Sequence, residues 1–129
     1  MEYKNILLEQ QDNIAILSLN RPNKLNAFTF SMMGEMIAAL DALDADDSVH
    51  ALIITGKGRA FCAGADLSSG QETFNPSFDD FAVQEDDFRR DSGGILTLRM
   101  YQFLKPIVIA CNGPAVGIGA SMQLAADVR

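Results

Sequence analysis

Residues 51–67 read ALIITGKGRAFCAGADL, and residues 106–121 read PIVIACNGPAVGIGAS. Each stretch places a short apolar run before a glycine-bearing turn, and small residues that can open a helix follow the turn. Such turns leave backbone N–H groups without a partner inside the element, and these groups point outward. Two such turns that meet at one point could hold a developing oxyanion. Acyl chemistry is therefore the leading hypothesis.

The composition limits the remaining classes of function. The 129 residues suit one small domain, and a hydrophobic content of 48% is enough to build its core. A net charge of −7 argues against a nucleic-acid partner, because phosphate neutralisation needs clustered Lys and Arg. Cys62, Cys111 and His50 are too few for a disulfide framework or a Cys/His metal site, so we expect no metal.

The chain start and the apolar runs bear on localisation. Met1 is not followed by a basic region and an apolar stretch, as a signal peptide would require. Each apolar run is far shorter than the roughly 20 residues of a spanning helix. We therefore expect a cytoplasmic protein with no membrane span.

Periodicity predicts an α/β fold with right-handed crossovers, because strands alternate with amphipathic helices. Residues 68–77 read as a loop, and the charged residues 79–91 as a solvated helix or lid segment. The predicted strands are 6–8, 14–19, 51–55 and 107–111, with a turn at 10–13, and the predicted helices are 29–43, 95–104 and 119–128.

Four segments in order resemble the crotonase family, also called the enoyl-CoA hydratase/isomerase superfamily. They are Leu19–Pro22 with Leu25–Phe28, Ile53–Gly56, Ala60–Leu67 and Lys105–Gly119. The resemblance implies an α/β crotonase-like spiral of ββα turns. Residues 1–129 would be the N-terminal portion of a single domain, incomplete at its C-terminus. It also implies assembly as trimers or hexamers.

The same resemblance implies a site for acyl-CoA thioesters. The family stabilises an enolate-like anion with two backbone N–H groups, which fall here on Ala65 and Ile118. Gly64 and Gly117 precede them and permit the turns and a close ligand approach. One such donor is typically worth about 2.7–4 kcal/mol of the barrier. Coenzyme A enters as part of the substrate, so no separate cofactor is expected.

Further substrate contacts are implied residue by residue. The stretch from Ala63 to Leu67, which includes Asp66, would follow the adenine and pantetheine. Ser68, Gly117 and Ser121 are further candidate substrate contacts. Lys24, Leu25 and Ala27 would border the nucleotide, with Lys24 either meeting a phosphate or being an ordinary exposed lysine. Asp66 has the chemistry of a catalytic acid, but a structural carboxylate at a helix start is the preferred interpretation.

The sequence departs from the family pattern at the catalytic acids. Ser121 occupies the position of the first hydratase glutamate, and the second would lie beyond Arg129. Serine is no general base near neutral pH without an activating partner. The pattern therefore favours double-bond isomerisation over hydration in a full-length form. Cys62 and Cys111 are expected to be buried inert thiols rather than nucleophiles.

Two other hypotheses stay open. A truncated, non-catalytic fragment could bind acyl-CoA or a partner, which leaves open whether this chain is an enzyme. Gly117 and Gly119 also begin a dinucleotide-binding fingerprint, although the usual acidic residue would fall past the end. If the chain has the crotonase-like fold, the helices at 29–43 and 119–128 are expected to expose apolar faces, which would drive association.

Overall fold

The computed structural model describes residues 2–68, 84–85, 88–89 and 92–129. Within these ranges the chain forms a mixed α/β fold, as predicted. Of the loop expected at 68–77, residues 69–77 lie outside the described residues. The strands are β1 (Ile6–Gln11), β2 (Ile14–Leu19), β3 (Ala51–Gly56), β4 (Gln84–Glu85), β5 (Phe88–Arg89) and β6 (Ile107–Ile109), the helices are α1 (Phe30–Ala45), α2 (Ser92–Gln102) and α3 (Ile118–Ser121), and 3-10 turns cover Pro22–Lys24 and Met122–Ala125.

The main sheet has the strand order β1-β2-β3-β6. β1 and β2 pair antiparallel through a two-residue loop in which Asp12 adopts a φ of 53°. β2, β3 and β6 run parallel, so each later strand needs a crossover that carries a helix. Because the strands are parallel, the loops that leave their carboxyl ends emerge at one edge of the sheet.

Helix α1 covers the sheet with a methionine-rich face. Its N-cap is Thr29, whose hydroxyl accepts a hydrogen bond from the Met32 N–H at 3.1 Å. The helix contacts β1 and α2, and its apolar face is buried, so the expectation that this face lacks cover is wrong. The buried residues of the helix are Met32, Met33, Met36, Ala39, Leu40 and Leu43.

Ion pairs join the acidic end of α1 to α2. Arg99 of α2 pairs with Asp41 at 2.8 Å and with Asp44 at 2.6 Å. Lys105 donates to the carbonyls of Leu43 and Asp46 and so caps the helix C-terminus. These cations offset the unfavourable meeting of carboxylates with the negative end of the helix.

The chain end does not form the helix predicted for 119–128. Helix α3 is a single turn, and after the following 3-10 turn the chain returns to the edge of β6. Val128 bridges Val108 in parallel, and the Asp127 carboxylate accepts the Ile107 N–H at 2.8 Å. An open strand edge presents unpaired backbone groups, and pairing with this segment satisfies them. β6 itself ends at Ile109, two residues earlier than predicted.

Only four residues of the charged segment 79–91 are described. They pair antiparallel as β4 and β5, so of the two predicted alternatives, a solvated helix or a lid segment, the helix is wrong at these positions. The rest of that segment lies outside the described residues.

Candidate active site at two glycine turns

The two glycine-bearing turns lie side by side at the carboxyl edge of the sheet. Cys62 and Ala115 form a parallel bridge, in which the Val116 N–H donates to the Cys62 carbonyl at 3.0 Å. A Cβ atom built at Gly64 would lie 3.0 Å from the Val116 carbonyl oxygen and 3.9 Å from the Gly117 nitrogen. The structure therefore brings together the two turns that the sequence separates by about fifty residues.

Both glycines hold backbone conformations that favour glycine. The φ of Gly64 is +100° and that of Gly117 is +57°. A side chain at either position would force the strained left-handed region. The glycines thus permit the sharp change of direction just before Ala65 and Ile118.

The N–H of Ala65 points away from its neighbouring strand. Phe28 bridges Ala65 by donating to the Gly64 carbonyl at 2.7 Å and accepting from the Asp66 N–H at 2.8 Å. In a parallel bridge of this kind the polar groups of the central residue face the opposite side. No described residue accepts a hydrogen bond from the Ala65 N–H.

The N–H of Ile118 is unpaired for a different reason. Ile118 is the first residue of α3, and the first N–H groups of a helix have no preceding carbonyl to meet. The Ala120 and Ser121 N–H groups both donate to the Gly117 carbonyl, at 3.0 and 2.9 Å. Within the described ranges no acceptor meets the Ile118 N–H.

An open groove of about 710 Å³ adjoins Ile118. It runs between α2 and the segment that starts at α3, and Ser121 lies on its wall, exposed. The side chains of Tyr101 and Leu124 are 79% and 69% exposed, so the groove offers apolar surface to a ligand. Of these two residues, Leu124 lies on the C-terminal segment that was expected to expose apolar side chains, although that segment is not the predicted helix. The lining residues are Gly93, Gly94, Thr97, Leu98, Tyr101, Ile118, Ser121, Leu124 and Ala125.

The described lining of this groove contains no carboxylate and no histidine. His50 lies elsewhere, beside the β1–β2 hairpin, where its Nδ1 is 2.9 Å from the Asn13 amide nitrogen. Ser121 therefore has no imidazole among the described residues that could activate it as a base.

Asp66 is held as a structural carboxylate. Hydrogen bonds from the Ser68 hydroxyl and backbone N–H, and then the Arg21 guanidinium, outweigh burial and lower the pKa of Asp66 to about 2. The Arg21 Nη2 lies 3.0 Å from its Oδ2. A carboxyl group with so low a pKa is ionised near neutral pH and has no proton to give.

The loop expected to border the nucleotide is also ordered. Leu25 and Asn26 have φ values of 53° and 56°. Leu25 and Ala27 are half-buried, whereas the Lys24 side chain is exposed. The structure brings Leu25 next to the first turn, because the Ala63 N–H donates to the Leu25 carbonyl at 3.0 Å.

Three polar residues that shape the site were not singled out from the sequence. Arg21, Asn26 and Asn112 hold loops to the first turn; Asn26 is fully buried and accepts the Arg21 N–H at 2.8 Å. The Asn112 side chain accepts the Gly56 N–H at 3.0 Å. The signal for the two asparagines was their position, Asn112 directly before a glycine turn and Asn26 after a proline loop, which periodicity does not register.

The two thiols differ, contrary to expectation. Cys62 is buried, and burial raises the pKa of its thiol. Cys111 is exposed, because β6 ends before it. The prediction of a buried thiol is wrong for Cys111.

The described part of the chain contains neither a metal-binding cluster nor a membrane-spanning helix. No cluster of three or more His, Cys, Asp or Glu residues there could hold a metal ion. Within those residues, no helix has both the length and the apolar character needed to cross a bilayer. Helix α3 has four residues, which gives little support to a dinucleotide-binding turn that opens a longer helix.

The glycine turns, the mixed sheet and the one-turn helix define a crotonase-type fold, and a family comparison agrees. A family model described as enoyl-CoA hydratase/isomerase matches residues 9–129. The chain belongs to this family.

Individual relatives include both reaction types. An enoyl-CoA hydratase of Alternaria alternata is 41% identical over 118 residues, which are 92% of this chain and 37% of the relative. A 1,2-epoxyphenylacetyl-CoA isomerase of Escherichia coli is 32% identical over 123 residues, 95% of this chain and 45% of the relative. The chain thus spans less than half the length of these relatives.

Solved structures resemble this fold closely. The crystal structure of an enoyl-CoA hydratase/isomerase from Xanthobacter autotrophicus superposes with a TM-score of 0.80 at 31% identity. The match covers 98% of this chain and 45% of that one.

Proposed function

We propose that the protein containing this chain processes acyl-CoA thioesters by stabilising an enolate between the Ala65 and Ile118 N–H groups. One observation carries the proposal. Two turns from distant parts of the sequence adjoin at Gly64 and Gly117, and each is followed by an N–H that meets no described acceptor. Backbone donors fixed before the reaction stabilise charge where it develops, at about 2.7–4 kcal/mol for one donor.

The surroundings of the two donors suit a thioester. The groove beside Ile118 gives the acyl chain an apolar wall, whereas Ala63, Asp66, Leu67 and Ser68 line the exit for pantetheine and adenine. Lys24, Leu25 and Ala27 border the nucleotide, and Lys24 is the exposed cation for a phosphate. Coenzyme A is part of the substrate.

Isomerisation is the proposed reaction. Hydration needs one group to activate water and another to deliver a proton, whereas a double-bond shift needs one base that moves a proton along the stabilised enolate. Ser121, which lies on the groove wall at the position of the first hydratase glutamate, cannot serve as the group that activates water. A carboxylate located after Arg129 would be the base.

The proposed assembly is a cytoplasmic trimer or hexamer. The apolar side chains of Tyr101, Leu104 and Leu124 are 79%, 88% and 69% exposed in this chain. Apolar surface of this kind favours cover by further chain or by neighbouring subunits.

The test is an assay of the complete protein and of residues 1–129 on a 3-enoyl and a 2-enoyl thioester. The complete protein should shift the 3-enoyl double bond faster than it hydrates the 2-enoyl substrate, and residues 1–129 alone should do neither. Fast hydration by the complete protein would overturn the isomerase assignment. Turnover by residues 1–129 would overturn the claim that a later carboxylate is required.

A second candidate is a non-catalytic fragment that binds acyl-CoA or a partner. The observation in its favour is that the described groove lining holds no carboxylate. Calorimetry of residues 1–129 with acyl-CoA distinguishes the two: saturable binding without turnover in every form of the protein supports the second candidate.

A further inference from the structure

We propose that Arg21 and Asp66 form a positioning pair that fixes the direction of the Ala65 N–H. The inference rests on the proposed function, since it assigns a role toward the same donor. Arg21 is not placed against the substrate, and Asp66, although it lies at the proposed exit for pantetheine, has its role here through its contact with Arg21. Both act through the backbone that carries the donor.

The donor segment is held by backbone pairing along one side. Ala63 donates to the Leu25 carbonyl at 3.0 Å, and Asp66 donates to the Phe28 carbonyl at 2.8 Å. The direction of the Ala65 N–H thus depends on how well residues 25–28 keep their register with residues 63–66.

Arg21 ties the two strands of this pairing together. Its Nη1 donates to the Ala27 carbonyl at 2.5 Å, one residue before the bridge on one strand. Its Nη2 donates to the Asp66 carboxylate at 3.0 Å, one residue after Ala65 on the other. The planar guanidinium can satisfy both acceptors at once, which a single ammonium group cannot do with the same geometry.

The pair is shielded and anchored at both ends. The side chains of Arg21 and Asp66 are 19% and 15% exposed, so the charges are largely removed from solvent. The other oxygen of Asp66 accepts the Ser68 N–H at 2.8 Å, and the Arg21 N–H donates to Asn26. Each residue of the pair therefore has a second hydrogen-bond partner that restricts its position.

Loss of the Arg21 hydrogen bonds should destabilise the transition state more than it weakens substrate binding. The donor gains most when charge develops on the thioester oxygen, so a misdirected N–H lowers kcat while KM changes little. In the complete protein, Arg21→Met should lower kcat by about 10–100-fold, which is less than the loss caused by removing a whole oxyanion donor. Arg21→Lys should recover only part of it.

The carbonyl stretching frequency of a bound, ¹³C-labelled acyl-CoA thioester reports the same effect without turnover. Polarisation by the donors lowers the frequency, and Arg21→Met should return it toward the value in solution. Arg99→Met is the matched control, because Arg99 also bridges two acceptors with a side chain 18% exposed. The control should lower the thermal stability and leave the frequency unchanged.

The outcomes separate the pair from the donor. Removal of the Ala65 N–H by an ester substitution tests the donor itself. If that ester removes activity and Arg21→Met leaves both kcat and frequency intact, the positioning role is overturned and the proposed function stands. If the ester has no effect, the proposed function and the pair both fail. Should Arg21→Met not fold, Asp66→Asn, which retains an oxygen acceptor for the Ser68 N–H, must raise the frequency, or the proposal is wrong.

Discussion

The side-chain amides of Asn26 and Asn112 donate to the same acceptor, the carbonyl oxygen of Ala60, at 3.0 and 3.2 Å. One asparagine comes from the loop after β2 and the other from the loop after β6. The shared acceptor lies in the turn after β3. Three loops from three neighbouring parallel strands are thereby joined at one atom, five residues before Ala65.

Asn26→Ala should destabilise the protein by about 2–4 kcal/mol, because buried polar groups left without a partner are costly. Asn26 is fully buried, bonds to Arg21, Lys57 and Ala60, and holds a φ of 56° that asparagine tolerates better than alanine. Urea unfolding of the variant measures the loss.

Asn112→Ala is the comparison for this prediction. Asn112 is exposed, so water can replace its bonds and the expected loss is about 1 kcal/mol. An equal effect of the two substitutions would show that burial does not set the cost.

Replacing Ala65 by its hydroxy-acid analogue exchanges the N–H for an ester oxygen and should lower kcat by about 10²–10³-fold. Stability should change little, because no described residue accepts that N–H. Steady-state kinetics and thermal unfolding measure the two effects.

The same ester at Ala63 is the matched control. It breaks the bond to the Leu25 carbonyl, so it should cost about 1 kcal/mol of stability and lower kcat much less than the ester at Ala65 does. Each ester also weakens one preceding carbonyl, that of Gly64 or Cys62, and each of these accepts one backbone bond. A larger kinetic loss at Ala63 than at Ala65 would contradict the assignment of the donor.

Gly64→Ala should destabilise the protein more than Gly117→Ala does. Both substitutions put alanine in a positive φ, at a cost of roughly 1–3 kcal/mol each. The new Cβ at Gly64 would also press on the Val116 carbonyl at 3.0 Å, whereas the nearest atom to one at Gly117 is 3.7 Å away. Thermal unfolding of both variants gives the order; the reverse order would mean that the turns relax differently.

Stability should fall as the pH drops from about 4 toward 2, in part through Asp66. The folded-state pKa of Asp66 is lowered to about 2 from its ordinary value of 3.8, so its contribution is present above the unfolded pKa and disappears as the pH falls through the folded one. The contribution is on the order of 1 kcal/mol after solvent screening. In acid titrations followed by circular dichroism, Asp66→Asn should show a shallower decline over this range than the parent.

Ser121→Glu should increase hydration of a 2-enoyl thioester relative to isomerisation, by up to about 10²-fold. The substitution places a carboxylate on the groove wall, three residues after the proposed donor Ile118. Ser121→Gln has the same length and cannot exchange a proton, so it should leave the ratio unchanged. Equal ratios in the two variants would remove Ser121 from the explanation of reaction type.

Where the signal was local, the sequence predicted the fold well. The three- and four-residue spacing of Met33, Met36 and Leu40 predicts α1, and Thr29 caps the helix that forms. The prediction failed at residues 119–128, where small apolar residues suit a helix. There the chain instead pairs with the backbone groups at the edge of β6, which lies some twenty residues earlier in the sequence.

The sequence by itself determined the order of strands and turns, the family, and the two glycines that let Ala65 and Ile118 follow sharp bends. These properties depend on the conformational freedom of single residues and on short-range periodicity. Only the tertiary structure decided that Gly64 meets Gly117, that Arg21 reaches Asp66, and that Asn26 and Asn112 share one carbonyl. Those contacts join residues 34–53 positions apart, and they form because parallel strands deliver their loops to the same edge of the sheet.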